Sequence, residues 1–142
     1  MNRIYYIILI AFMVVSCNKS DDNDNENCKF LLDVQVNRTV SLNLNPNLEI
    51  PGNSLYIPNI GNAGVIVINS GFEFLAWDAA DPNHVQNGCR LVSDSGFEAT
   101  CNCEDKNKYS LITGQPLGNS ALQCGLRNYR VERIENTLVI SN

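Results

Sequence analysis

The sequence predicts an all-β domain, and three observations carry that reading. Val40, Leu42 and Leu44 alternate with Ser41, Asn43 and Asn45, the period of two that a half-buried strand requires. Val65-Ile66-Val67-Ile68 is an unbroken β-branched run, the pattern of a strand covered on both faces. Pro46, Pro51-Gly52 and Pro58 punctuate the intervening chain, and no segment sustains the apolar period of about 3.6 residues that an amphipathic helix needs.

The remaining elements follow in order. Leu32, Val34 and Val36 alternate with Asp33 and Gln35 and predict a first strand. Phe72 to Trp77 and Phe97 to Thr100 read as further strands, the second preceded by an Asp94-Ser95-Gly96 turn. Tyr129 to Arg133 and Thr137 to Ile140 flank Glu135-Asn136 and predict a closing hairpin. Trp77, which ends an apolar strand, is expected in the core. No internal repeat is visible.

The N-terminus reads as an address. Asn2-Arg3 gives a positive start, and Ile4–Val15 is an uncharged apolar run, well short of the roughly 20 residues that span a bilayer as a helix. It ends in Val14-Val15-Ser16-Cys17, which resembles the lipobox of bacterial lipoproteins. That likeness makes 1–16 a signal peptide and Cys17 the lipidated N-terminus of the mature protein, held stably because such proteins carry more than one acyl chain. Residues 18–27 contain no apolar side chain and form, with Cys17, an acidic, Asn-rich tether over 17–27. Ser20-Asp21-Asp22 resembles the acidic signal that sends some lipoproteins to the cell surface. The expected location is the outer membrane, facing the periplasm or the exterior, with the β domain over 28–142.

Composition removes several function classes. The chain has 142 residues, a net charge of −5 and a single His. The acidic balance leaves no electrostatic footprint for nucleic acid, and one His excludes the two-His metal sites of most zinc hydrolases. No nucleophile motif accompanies His84, so no catalytic residue is assigned and the chain does not read as an enzyme. An oxidising envelope favours disulfides. From Cys28 on, Cys28, Cys89, Cys101, Cys103 and Cys124 form an odd set, so one is left over and composition leaves the pairing open.

Four segments carry a family likeness. They are Phe74-Leu75-Ala76-Trp77-Asp78-Ala79-Ala80-Asp81-Pro82-Asn83-His84, then Gly88-Cys89, then Cys101-Asn102-Cys103-Glu104, then Tyr109 to Leu117. With the ending from Leu126 through the hairpin to Ile140, they resemble a Rieske ferredoxin domain over roughly residues 50–142. The resemblance implies an antiparallel β-sandwich with a small loop subdomain at about residues 78–112. It also implies a [2Fe–2S] cluster held by one Cys and one His from each of two loops, with the thiolates on one iron and the imidazoles on the other. The non-ligating Cys of the two loops pair in disulfide-containing members. On that pattern Cys101 falls on a ligand position, and Cys89 and Cys103 fall on the bridging positions.

The departures are specific. Asp81 stands where the first-loop ligand Cys belongs, Glu104 stands where the second-loop His belongs, and His84 is displaced by one residue. A Cys89–Cys103 bridge closes a loop of about 15 residues and contributes about 3 kcal/mol, enough to replace a cluster as the clamp between loops. Cys28 with Cys124 is the next expected pair, leaving Cys101 free. The resulting expectation is a lipid-anchored Rieske-like domain with no cofactor and a structural or binding role beside an unidentified envelope protein. The alternative is an electron-transfer protein with a redox partner, holding [2Fe–2S] through Cys101 and His84 with Asp81 or Glu104 as replacement ligands.

Overall fold

A computed structural model describes residues 28–93 and 96–142. The expected signal peptide, the expected lipidation site Cys17, the expected tether and Asp94-Ser95 of the expected turn lie outside the described residues. The chain forms β1 (Asn37–Ser41), β2 (Ser54–Ile57), β3 (Val65–Asn69), β4 (Phe74–Asp78) and β5 (Leu91–Ser93). It continues through β6 (Glu98–Cys101), β7 (Lys108–Ser110), β8 (Pro116–Leu117), β9 (Asn128–Ile134) and β10 (Thr137–Ser141). No α-helix occurs among the described residues; Pro46–Glu49 makes a short 3-10 turn in the proline-punctuated stretch.

All pairings are antiparallel. A six-stranded sheet runs β1-β10-β9-β4-β3-β2, and a four-stranded sheet runs β5-β6-β7-β8. β3 is the strand that joins the two layers. Its alternate side chains point to opposite faces, so Val65 and Val67 enter one core with Val40, Leu138 and Ile140. Ile66 and Ile68 enter a second core with Leu91, Ala99 and Tyr109 of the smaller sheet and with Leu111 just after β7. That two-sided burial is the reason the run carries no polar residue. β4 divides in the same way: Ala76 faces the first core and Trp77 the second, where its Nε1 donates to Leu111 O at 2.8 Å.

The first predicted strand is not one. Residues 32–36 pair with no neighbouring strand, and Leu32 is 71% exposed. Asn142 takes the place of a ladder partner, its side chain accepting from Val36 N at 2.8 Å and donating to Val34 O at 2.8 Å. Side chains thus take up this stretch's backbone groups, Asn142 at Val34 and Val36 and Asn62 with Arg127 at Leu32, while of its alternating residues only Val36 reaches the core. Leu44 also departs from expectation. β1 ends at Ser41, and Asn45 closes a turn by donating its backbone N to Leu42 O and its side chain to Ser41 O. The turn throws Leu44 into solvent. Phe72 precedes β4 rather than opening it, because Ser70 and Glu73 close the β3–β4 connection through a backbone hydrogen bond.

Candidate functional site

The strand ends β4 and β6 feed two loops at one end of the sandwich. Asp78, the last residue of β4, is fully buried and fixes the exit direction of the first loop. Its Oδ1 accepts from Ala63 N and Ala80 N, and its Oδ2 from Asn62 N, Asn62 Nδ2 and the Tyr129 hydroxyl at 2.7 Å. Gly61 must be Gly there: its φ is +66°, and a Cβ would sit 2.6 Å from Asp78 Oδ2.

Three residues on, Asp81 is buried as completely. Its Oδ1 accepts from the Tyr109 hydroxyl at 2.5 Å and from Asn83 N at 2.9 Å, the second closing an Asx-turn. Asn83 in turn donates to the Tyr109 oxygen and to Cys124 O, and accepts from the backbone N of Cys124. Asp81 Oδ2 accepts from Asn107 Nδ2 at 3.0 Å, and that same amide donates to Asp105 Oδ2 at 2.8 Å. Asn107 therefore holds one oxygen of each loop's carboxylate toward a common point.

His84 faces that point. Its Nε2 lies 3.7 Å from Asp81 Oδ2, 3.7 Å from Asp105 Oδ2, 3.6 Å from Cys101 Sγ and 3.2 Å from Cys103 Sγ. Its Nδ1 lies 2.8 Å from Val85 O. A carbonyl only accepts, so Nδ1 carries hydrogen and Nε2 is the nitrogen turned inward. The donor atoms of Asp81, His84, Cys101 and Asp105 lie within 4.8 Å of one another. Burial pushes the Cys101 thiol up to about 11, and the nearby Asp81 and Asp105 carboxylates add to the shift. Burial also raises the Tyr109 phenol well above its usual range, helped by its hydrogen bond to Asp81.

Two disulfides frame the site. Cys89–Cys103 joins the first loop to the second, and Cys28–Cys124 ties the start of the described chain beside Pro82. Cys101 is free and buried. The structure thus gathers Asp81, His84 and Cys101, but Glu104 is exposed and stands outside the group. Its neighbour Asp105, itself exposed, brings Oδ2 to 3.7 Å from His84 Nε2 instead, a correction to the position expected from the loop spacing. The correction has a physical cause: Asn107 offers a hydrogen-bond donor to Asp105. Asn107 and Tyr109 also escaped the sequence reading, since neither residue type is a metal ligand of the expected kind.

The donor set does not fit the cluster that the resemblance implies. That cluster asks for two thiolates and two imidazoles. Among the described residues this end of the fold offers one free thiol and one imidazole, because Cys89 and Cys103 are bonded to each other.

No protein-family model matches the sequence, and no curated protein matches it. Solved structures do. One match is a chain from a complex of reduced oxygenase and oxidized ferredoxin in carbazole 1,9a-dioxygenase. It is 18% identical, with a TM-score of 0.51, over 79% of this chain and 93% of that one. Another is the ferredoxin of carbazole 1,9a-dioxygenase from Nocardioides aromaticivorans IC177. It is 16% identical, with a TM-score of 0.46, over 75% of this chain and 96% of that one. The likeness is one of fold: the domain is an all-β, Rieske-like antiparallel sandwich.

Proposed function

We propose that this chain is an electron carrier of the cell envelope, tethered to the outer membrane through Cys17, whose redox metal is held by a non-standard ligand set. The observation that supports this reading is the convergence of Asp81, His84, Cys101 and Asp105 between the two loops. The ferredoxin named in the similar complex supports this reading. The chain's own residues would divide the work. Cys101 and His84 supply soft and borderline donors, and Asp81 and Asp105 supply charge. Asn107 and Tyr109 orient the carboxylates, and hydrogen-bonded partners of this kind hold metal ligands in place. The His84 side chain is 21% exposed, so the centre lies close enough to the surface for a redox partner to approach.

The test is direct. Full-length protein from iron-supplied cells, purified anaerobically in detergent, is assayed for iron and acid-labile sulfide and examined by visible absorption and EPR after dithionite. Stoichiometric iron that cycles reversibly by one electron is the expected result. Folded protein without iron, showing no reversible step beyond disulfide reduction, refutes the reading.

A second reading is favoured by a separate observation. The Cys89–Cys103 bridge already clamps the two loops, and among the described residues no buried side-chain polar atom lacks a hydrogen-bond partner. A metal-free, disulfide-clamped module with a binding role in the envelope is consistent with both facts. The iron-free outcome above is its signature.

A further inference from the structure

The mismatch with a binuclear cluster has a positive side. We infer that Asp81 Oδ2, His84 Nε2, Cys101 Sγ and Asp105 Oδ2 form a four-coordinate site for a single divalent ion of the zinc or iron(II) class. With iron bound, the inference deepens the proposed function and rests on that reading of the same loop pair; zinc, which has no redox chemistry, would fill the site without it.

Geometry argues for one ion. Metal bonds of about 2.0–2.3 Å place tetrahedral neighbours roughly 3.3–3.8 Å apart. The three distances from His84 Nε2 to its would-be co-ligands are 3.6, 3.7 and 3.7 Å. All four donor atoms are mutual neighbours within 4.8 Å. A binuclear cluster instead needs two ligand pairs held apart on opposite irons.

Charge argues for a cation. Two carboxylate oxygens, held by the one Asn107 amide, face the Nε2 of an imidazole whose Nδ1 is committed to Val85 O. Oxygens and nitrogen gathered around one point are the donor pattern that a cation takes. The buried, unbridged Cys101 sulfur, 3.6 Å from His84 Nε2, adds a soft donor to the same point. A divalent ion would displace the thiol proton to water and bind sulfur, nitrogen and two oxygens, a mixed set that suits zinc or iron(II) better than calcium or magnesium. His84 oriented through Nδ1 and carboxylates oriented through Asn107 are the outer contacts that metal ligands usually have.

The experiment uses chelator-stripped full-length protein titrated with Co²⁺, followed by optical spectroscopy and by metal analysis after desalting. One equivalent should bind, with four-coordinate visible bands and a thiolate-to-cobalt charge-transfer band in the near ultraviolet. Cys101→Ser should abolish the charge-transfer band, and Asp105→Asn should weaken binding at least about tenfold. The exposed Glu104→Gln should leave affinity unchanged. Both carboxylate changes lie on the surface loop, so circular dichroism should stay native in each.

Absence of cobalt bands would show a proton-only centre and overturn the inference. Loss of affinity in Glu104→Gln equal to that in Asp105→Asn would overturn it too. Iron accompanied by equimolar sulfide would also overturn the single-ion site while leaving electron transfer standing. Cobalt binding at one equivalent, with iron-loaded protein that does not cycle, keeps the site and removes the electron-transfer role.

Discussion

Replacing Asp78 by Ala tests whether the site is held from beneath by a buried carboxylate. The side chain accepts from Asn62 N, Asn62 Nδ2, Ala63 N, Ala80 N and the Tyr129 hydroxyl. Of these, the Ala80 N–H and the Tyr129 hydroxyl lie in fully buried surroundings, whereas Asn62 and Ala63 sit where water can replace the acceptor. Each orphaned buried donor costs about 1–3 kcal/mol, so the expected loss is about 4 kcal/mol. Tyr129→Phe removes one bond to a carboxylate that keeps its other donors, and should cost about 2 kcal/mol. The double variant should cost less than the sum, because Tyr129 is then no longer left without an acceptor. Urea unfolding of full-length protein in detergent, followed by far-ultraviolet circular dichroism, gives all three values. A loss below about 1 kcal/mol for Asp78→Ala, or strict additivity of the pair, would falsify the account of Asp78 as a buried anchor.

Three other outcomes follow from the same contacts. Tyr109 and Tyr129 ordinarily titrate at 10.0, and burial raises both when folded. Their stabilisation is complete below pH 10 and is lost above it, because the unfolded chain alone releases those protons, at about 1.4 kcal/mol per pH unit for each Tyr. Urea midpoints from pH 9 to 11.5 should fall accordingly, and Tyr109→Phe with Tyr129→Phe should flatten the slope. Cys101, buried and raised to about 11, should resist iodoacetamide at pH 8 in the native protein and react fully after unfolding; labelling at the rate of an exposed thiol contradicts its placement. Paired Ser substitution of Cys28 and Cys124, separated by 96 residues, should cost about 4–5 kcal/mol, against about 3 kcal/mol for Cys89 with Cys103, separated by 14; the reverse order of urea midpoints refutes the loop-closure argument.

The fold was legible where burial dictates residue type. β3 carries Val65 to Ile68 because both of its faces are covered, and β9 and β10 are separated by the Glu135-Asn136 turn. It was illegible where side chains do the work of strands. Residues 32–36 alternate like a strand, yet the Asn142 amide takes up Val34 O and Val36 N, and no local pattern announces a partner more than a hundred residues away. The site divided along the same line. Cys101, His84 and Asp81 stood out through loop spacing. The choice of Asp105 over Glu104 depends on how the β6–β7 connection turns, with Lys106 at φ +51° and the backbone closed by Cys101 N donating to Asn107 O. Adjacent acids look alike in sequence; the turn decides which one meets His84.

The contrast between Asp78 and Asp81 carries the functional argument furthest. Both are fully buried acids on one short stretch, and only Asp81 falls on a ligand position of the family pattern. Asp78 has both oxygens surrounded by donors, so its charge is balanced within the fold and nothing further is needed there. Asp81 has one oxygen enclosed by Tyr109 and Asn83, while the other accepts from Asn107 and faces His84, with Cys101 and Asp105 beside it. The second oxygen of Asp81 opens on the point where nitrogen, sulfur and the half-open Asp105 carboxylate also converge, a donor set that a cation would complete. The same asymmetry predicts that Asp81→Asn should leave the Tyr109 side of the network largely intact, its amide oxygen still accepting, while removing the charge that faces His84.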